Sequence, residues 1–267
     1  RKIYMIDVII PCYNAEQTLV RAVQSALNQA ELGKIWLVDD SSTDRTFELM
    51  LSLKKQFPEK ICIEQMPKNC GVAKARNWGA LQSEAEIIAF LDADDAYEPQ
   101  ALQVAQAVMD FCPDVSLVRL DLKPVGIAEK YATHPQFEYA WQHMRMTGGG
   151  NVVVRRAFFF ACGGFPQNAL FRELGGEDGA LGIATTKIAN VATCFQDAGV
   201  LHYCHEGMHA ERLLNSILFG KPPEGVTPEK MAEAESVTSR ICQRIEQLRV
   251  GLNSPKIGIN PLKMEWD

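Results

Sequence analysis

Apolar residues in the first third of the chain come in short blocks, and each block ends on polar or acidic residues. Residues 4–10 are one such block, closed by Pro11, and predict a strand. Asn14 followed three residues later by Gln17 has the spacing of a capping box, which predicts a helix through about residue 29. Residues 35–38 predict a second strand, ending in Asp39-Asp40. Ser42 or Thr43 is expected to cap the helix that follows, to about residue 56. A third strand is predicted at 61–66, and Asn69-Cys70-Gly71 leads into a helix over 72–82. The fourth block, Ile87-Ile88-Ala89-Phe90-Leu91, is apolar throughout, the pattern of a strand buried on both faces. It runs straight into Asp92-Ala93-Asp94-Asp95, and a further helix starts near Pro99. Strands separated by single helices imply right-handed crossovers and a parallel sheet, so the fold class is α/β, a Rossmann-like layer flanked by helices.

The second half is less regular. Residues 115–120 predict a strand, and 136–146, rich in aromatics, a helix. The stretch Thr147-Gly148-Gly149-Gly150-Asn151 is a glycine-rich loop feeding a strand at 152–156, where backbone approach to a ligand and a plain flexible connection are equally open. Gly175-Gly176-Glu177-Asp178-Gly179 reads as a helix start, and residues 201–204 as the end of a strand. Residues 229–250 predict a helix whose Met231, Ala234, Val237, Ile241, Ile245 and Leu248 recur at spacings of three and four. That stripe suits packing on the domain or pairing with a second copy as a homodimer. The tail through Pro255 and Pro261 reads as irregular.

Composition narrows the class. The chain has 267 residues, 47% hydrophobic and 22% charged, enough for one large α/β domain or one domain with an added lobe. A net charge of -6 speaks against nucleic-acid partners. Eight cysteines without a Cys-x-x-Cys pair read as small buried hydrophobes in a reducing compartment, which suggests a cytoplasmic protein, free or peripheral at a membrane. No signal peptide is visible, and the longest apolar run, residues 157–162, is far short of the ~20 that span a bilayer, so no transmembrane segment is expected.

Chemistry gathers at the C-terminal ends of the predicted strands, where open α/β sheets bind ligands. Tyr13-Asn14, Asp39-Asp40, Arg76 and Asp92-Asp94 all fall there. Asp92 and Asp94, two apart on an extended segment, face the same side, and Ala93 between them leaves room for a ligand. Clustered hard oxygen donors suit Mg²⁺ or Mn²⁺, ions that keep positions open for a diphosphate. A helix-capping turn needs one such carboxylate, not three. Tyr13 would stack on a base, Asp40 would accept a base N–H, and Arg76 would pair with a carbonyl or phosphate. Each has a plainer alternative, since Asp39-Asp40-Ser41-Ser42 is also a good turn and Arg76 could be a solvated helix residue. Neither Gly-x-Gly-x-x-Gly nor the P-loop signature is present, which disfavours a dinucleotide site and a P-loop.

The segments Val8-Ile9-Ile10-Pro11-Cys12-Tyr13-Asn14, Val38-Asp39-Asp40-Ser41-Ser42-Thr43-Asp44, Asn69 to Asn77 and Phe90-Leu91-Asp92-Ala93-Asp94-Asp95 together resemble the glycosyltransferases of family 2, which have the GT-A fold. Ser41 departs from the glycine usual in the family. The resemblance implies an inverting, non-processive enzyme that uses a nucleotide-diphosphate sugar and Mn²⁺ or Mg²⁺. By position, Pro11, Tyr13, Asp40 and Arg76 would surround the base, Asp92 and Ala93 would lie at the ribose or sugar, and Asp94 would ligate the metal. Residues 1–120 would then be the donor half, 121–220 the acceptor half of the same domain, and 221–267 a C-terminal helix and tail. Cys162-Gly163-Gly164-Phe165 also matches the family, and Glu177-Asp178 matches its Glu-Asp motif, which makes Asp178 the expected catalytic base toward a saccharide or other hydroxyl acceptor. Tyr13 and Asp40 favour uracil, hence a UDP-sugar. The alternatives are a sugar-nucleotide-binding protein without transfer activity and a nucleotidyltransferase.

His205-Glu206-Gly207-Met208-His209 also spells the zincin pattern. That site needs both histidines on one helix, which Gly207 and the preceding strand oppose, and no third ligand follows. The resemblance instead implies that one histidine reaches the metal, with His205 preferred over His209.

Overall fold

The alternation of the first third is built largely as its patterning predicts. The computed structural model describes residues 4–252, and side chains through residue 248. In chain order, β1 (Ile6–Cys12), α1 (Leu19–Leu27), β2 (Leu32–Asp39), α2 (Thr46–Gln56), β3 (Ile61–Gln65), α3 (Val72–Gln82) and β4 (Ile87–Phe90) make the first half of the sheet with its flanking helices. Next come β5 (Ala96–Tyr97), α4 (Ala101–Phe111), β6 (Leu117–Leu120), β7 (Leu122–Val125), α5 (Glu129–Ala132) and α6 (Phe137–Thr147). The chain continues through β8 (Val152–Arg155), α7 (Arg156–Ala161), α8 (Ala169–Leu174), α9 (Glu177–Ile188), β9 (Val191–Cys194), β10 (Val200–Tyr203), α10 (Ala210–Phe219) and α11 (Pro228–Leu252).

The main sheet runs β3-β2-β1-β4-β8-β6-β9, and β5-β10-β7 form a smaller one. β1 pairs in parallel with β2 and β4, and β2 with β3. β8 is antiparallel to both β4 and β6, so the sheet is mixed beyond β4. Every residue of β1 is buried, as expected of a strand covered on both faces. Asp7, its one charged residue, is satisfied there by Lys34 N (2.8 Å), Trp36 Nε1 (3.0 Å) and Ser83 Oγ (2.7 Å). α1 covers one face with Leu19, Ala22, Val23 and Ala26 at helical spacing. α3 covers the other at very close range, because Gly79 has no side chain. A Cβ there would lie 2.6 Å from Ile9 Cγ2.

Two local capping expectations are not met. The Asn14–Gln17 capping box does not form, since α1 starts at Leu19 without a side-chain cap. Asn14 instead sits at φ 49°, its Oδ1 accepts Thr43 N (2.8 Å), and its own N donates to Ser42 Oγ (3.0 Å). Neither Ser42 nor Thr43 caps α2. Asp44 Oδ1 accepts Thr46 N (2.9 Å) at that helix start instead. The loops after β1 and β2 lie side by side on the same sheet edge, and their polar groups bond across to each other.

α11 packs on the domain through its middle. Val237, Ile241 and Ile245 are buried with Ala180, Leu181, Ala184 and Phe158, while Met231 and Leu248 stay exposed. The irregular tail lies outside the described residues. Cys12, Cys162 and Cys194 are buried as small hydrophobes, whereas Cys112 is exposed. Among the described residues no helix is long and apolar enough to cross a membrane.

Candidate active site

The site is assembled on the edge formed by the ends of β1, β2 and β4, closed by segments from the second half. Tyr13, directly after β1, is half exposed at the lip, and Pro11 beside it is buried. Asp40 is only 3% exposed, with Oδ1 accepting Cys70 N (2.7 Å) and Oδ2 accepting Gly71 N (2.8 Å). Its carboxylate therefore clamps the turn that starts α3, where Gly71 has φ 93°. Asp39 is likewise tied down, by Ser42 N (3.1 Å) and Gln65 Nε2 (3.1 Å). Next to this turn a cleft of about 260 Å³ opens between Gly71, Lys74, Asn168, Arg172 and Glu177.

Arg76 is not the solvated helix residue that its surroundings in sequence allowed. It is 4% exposed, and its guanidinium bridges Asp92 Oδ1 (2.5 Å) and Glu177 Oε1 (3.4 Å) while lying 5.0 Å from the centre of the Phe165 ring. Burial opposes its charge, but Asp92, Glu177 and Asp178 outweigh burial and raise its pKa. Glu177 is pushed the other way. Burial first, then the charge of Asp178, raise its pKa to about 6, with Arg76 only partly offsetting. Phe165 is fixed under Arg76 by Asn77, whose Nδ2 donates to Phe165 O (2.8 Å) and whose Oδ1 accepts Phe165 N (2.9 Å). The Gly-Gly-Phe segment thus serves as the floor of this ion pair.

The glycine-rich loop before β8 makes the close approach that its composition allows, toward the carboxylates themselves. A Cβ on Gly149 would lie 2.6 Å from Arg76 Nη1, and one on Gly150 2.8 Å from Asp92 Oδ2. Asp178, in the first turn of α9, accepts Gly149 N on Oδ2 (3.1 Å) and Gly179 N on Oδ1 (2.8 Å). Beneath the loop lies Arg119, a residue that none of the sequence motifs singles out. It is 2% exposed in β6 and donates to Gly148 O (2.8 Å). Burial lowers its pKa to about 10, with Asp178 acting in the opposite sense. An arginine inside the apolar run Leu117-Val118-Arg119-Leu120 was the signal available in the sequence.

The acidic edge divides by exposure. The side chains of Asp92 and Asp94 are 31% and 41% exposed, while that of Asp95 is 1% exposed. Asp95 accepts Tyr203 N (3.1 Å) and pairs with His202 Nδ1 (2.8 Å). Burial raises the Asp95 pKa to about 6, less than it otherwise would because of the His202 bond. Two residues beyond β10, His205 Nε2 lies 3.6 Å from Asp94 Oδ2. Residues 205–209 are not helical, Gly207 has φ 80°, and His209 turns toward Gly175. A zincin site is therefore not formed. Asp94 and His205 offer one carboxylate oxygen, which suits Mn²⁺ or Mg²⁺, and one imidazole nitrogen, which suits Mn²⁺ better than the oxygen-seeking Mg²⁺. Among the described residues no group of three or more metal-ligating side chains converges, so an ion there would take its remaining ligands from outside these side chains, from water or a bound molecule.

Comparison with known proteins bears on the family and the fold. The model for glycosyl transferase family 2 matches residues 7–168, more than half of the chain. The minor teichoic acid biosynthesis protein GgaA of Bacillus subtilis is 36% identical over 127 residues, covering 45% of this chain and 28% of that protein. Chondroitin synthase of Escherichia coli is 32% identical over 118 residues, covering 44% of this chain and 17% of the enzyme. The chain thus spans less than a third of the length of these relatives. In overall structure it is similar to TarS of S. aureus in complex with UDP-GlcNAc, with a TM-score of 0.60 and 19% identity over 91% of this chain and 73% of that one. It is also similar to the mannosyltransferase PcManGT of Pyrobaculum calidifontis in complex with GDP-Man and Mn²⁺, with a TM-score of 0.60 and 19% identity over 96% of this chain and 78% of that one. Both neighbours have the GT-A arrangement of a mainly parallel sheet between helices, and with the family match spanning β1 to α7 and the acidic edge included, the chain belongs to glycosyltransferase family 2.

Proposed function

We propose that this chain transfers a sugar from a nucleotide-diphosphate sugar to an acceptor hydroxyl with inversion at the anomeric carbon. The observation that carries this reading is the Arg76 bridge. One guanidinium, 2.5 Å from Asp92 and 3.4 Å from Glu177, joins the acidic edge to the Glu-Asp motif, so that the two motifs share one site. Residues 1–120 act as the donor half and 121–220 as the acceptor half. Pro11 and Tyr13 receive the base, while Asp40 shapes the turn at 70–71 beside it and leaves lone pairs for a base N–H. Arg76 acts on the donor by holding Asp92, which with Ala93 lies against the ribose or sugar.

Asp178 takes the proton of the acceptor hydroxyl as its oxygen attacks the anomeric carbon from the face opposite the nucleotide. The new C–O bond forms as the bond to the diphosphate oxygen breaks, and the nucleoside diphosphate leaves with that electron pair. The proton then passes from Asp178 to water. Asp178 is steadied for this by the Gly149 and Gly179 N–H groups, which hold both of its oxygens. Asp94 and His205 would hold Mn²⁺ or Mg²⁺, which would supply positive charge beside the leaving diphosphate.

Incubation with a nucleotide sugar and acceptor should release nucleoside diphosphate. Release of pyrophosphate would identify a nucleotidyltransferase, and binding without release a sugar-nucleotide-binding protein. Asp178→Asn should lower turnover by about 10²- to 10⁴-fold with donor binding nearly intact. Wild-type turnover in that variant would remove Asp178 as the base. We favour a UDP-sugar, on the fit of uracil to Tyr13 and Asp40. A melting screen of UDP-, GDP- and dTDP-sugars with Mn²⁺ tests it, since a ligand at 100 times its Kd adds about 2.7 kcal/mol. Stabilisation by GDP-sugars alone would defeat the uracil assignment.

A further inference from the structure

Arg21 lies on α1, outside every motif visible in the sequence, yet its side chain ends at the acidic edge. Its guanidinium donates to the main-chain carbonyl of Asp94 (2.5 Å), and its central carbon sits 3.6 Å from the centre of the Tyr203 ring. Tyr203 ends β10, two residues before His205. On its other side Tyr203 is held by its backbone N–H to Asp95 Oδ1 (3.1 Å), and the neighbouring His202 by Asp95 Oδ2 (2.8 Å). The segment after β4 and the segment after β10 are therefore tied together twice, once through Asp95 and once through Arg21. Asp94 and His205 extend from these two segments and meet at 3.6 Å.

We propose that Arg21 is a positioning residue for the divalent-metal and diphosphate site. It locks the Asp94 main chain against Tyr203, and so sets the separation of Asp94 and His205 before any ligand arrives. The inference rests on the reading of Asp94 and His205 as the metal donors. Arg suits the task better than Lys, because a planar guanidinium stacks on a ring while one edge donates to a carbonyl. A site with only two protein donors depends on their separation more than a site with many, since no other side chain corrects an error.

The test is calorimetric titration of Mn²⁺ into protein saturated with UDP, and in parallel with GDP, alongside titration of each nucleotide in EDTA. Asp94→Ala should abolish the nucleotide-dependent Mn²⁺ binding. Arg21→Met should weaken it by about tenfold, the scale of one charge-assisted hydrogen bond, and leave nucleotide affinity in EDTA unchanged. Arg21→Lys should fall between, Tyr203→Leu should resemble Arg21→Met, and Tyr203→Phe, which keeps the ring, should match the wild type. Should Arg21→Met not fold, Tyr203→Leu carries the same comparison. Folded Arg21→Met or Tyr203→Leu protein with wild-type Mn²⁺ affinity overturns the proposal. So does an equal loss of nucleotide affinity in EDTA, which would make Arg21 a direct diphosphate ligand. Mn²⁺ binding that survives Asp94→Ala overturns the metal reading itself, and the proposal with it, and is thereby distinguished from a failure of Arg21 alone.

Discussion

A buried guanidinium among carboxylates dominates the chemistry of single residues here. Arg76 pairs with Asp92 and Glu177 at once, and removing it leaves the buried Glu177 and the partly exposed Asp92 without their shared counter-charge. Arg76→Leu should therefore lower stability by about 3–5 kcal/mol, measured by denaturant unfolding. A loss below about 1 kcal/mol would mean that the bridge is not maintained in solution. Glu177 adds a pH dependence. Its pKa is raised from 4.5 to about 6 in the fold, so the native state binds its proton more tightly than the unfolded chain does. Between those values the native state holds more protons, and stability falls as pH rises through the window. The contribution is about 2 kcal/mol, since a tenfold change in proton affinity corresponds to about 1.4 kcal/mol. Glu177→Gln should remove this fall, seen as a flatter melting temperature between pH 4.5 and 6 than in the wild type. An unchanged slope would place the titrating group elsewhere.

At the scale of elements, close approach decides more than amphipathic pattern. α3 lies tightly against β1 because Gly79 lacks a side chain, with Ile9 Cγ2 2.6 Å and Val38 Cγ2 3.0 Å from where a Cβ would stand. Gly79→Ala gains helix propensity of about 1 kcal/mol but forces the helix off the strand, which costs about 1–3 kcal/mol. A net loss is expected, and Arg76, three residues back on the same helix, should shift with it. A variant more stable than the wild type would show that the helix has room to move. α11 makes the contrasting case. Ile245 is fully buried, so Ile245→Ala should cost about 2–5 kcal/mol. Met231→Ala and Leu248→Ala, at exposed positions, should stay within about 0.5 kcal/mol. A homodimer through this helix would show instead as a concentration-dependent melt that Met231→Ala and Leu248→Ala abolish.

Over the whole molecule, the two halves are joined in one sheet rather than set side by side. β8 inserts between β4 and β6, antiparallel to both, and carries the Gly148–Gly150 loop back onto the acidic edge. β10 returns in the smaller sheet and delivers His202, Tyr203 and His205 to the same place. Arg76 and Glu177 meet across 101 positions of sequence, and His202 and Asp95 across 107. These long connections are what gather the acidic edge, the glycine-rich loop and the Glu177-Asp178 pair into one site.

The order of strands and helices up to β4, the limits of α3 at 72 and 82, and the acidic edge were determined by the sequence itself. Each depends on periodicity and punctuation within a few residues, which local sterics and burial decide. The helix start at Glu177 was legible for the same reason. Tertiary structure decided which partner each polar group took. Asn14 matched a capping box, but the neighbouring loop offered Ser42 and Thr43, and α1 began later, at Thr18–Leu19. Arg76 and Arg119 both lost water and took buried partners; the apolar run around Arg119 hinted at burial, but nothing local to either residue named its partners. The direction of β8 was equally hidden, because a fully buried strand has the same composition either way along. His205 faces Asp94 while His209 does not, since the turn at Gly207 separates two residues that a helix would have aligned. Local pattern fixes the backbone of a segment, whereas a polar side chain answers to the other segments that the sheet brings within its reach.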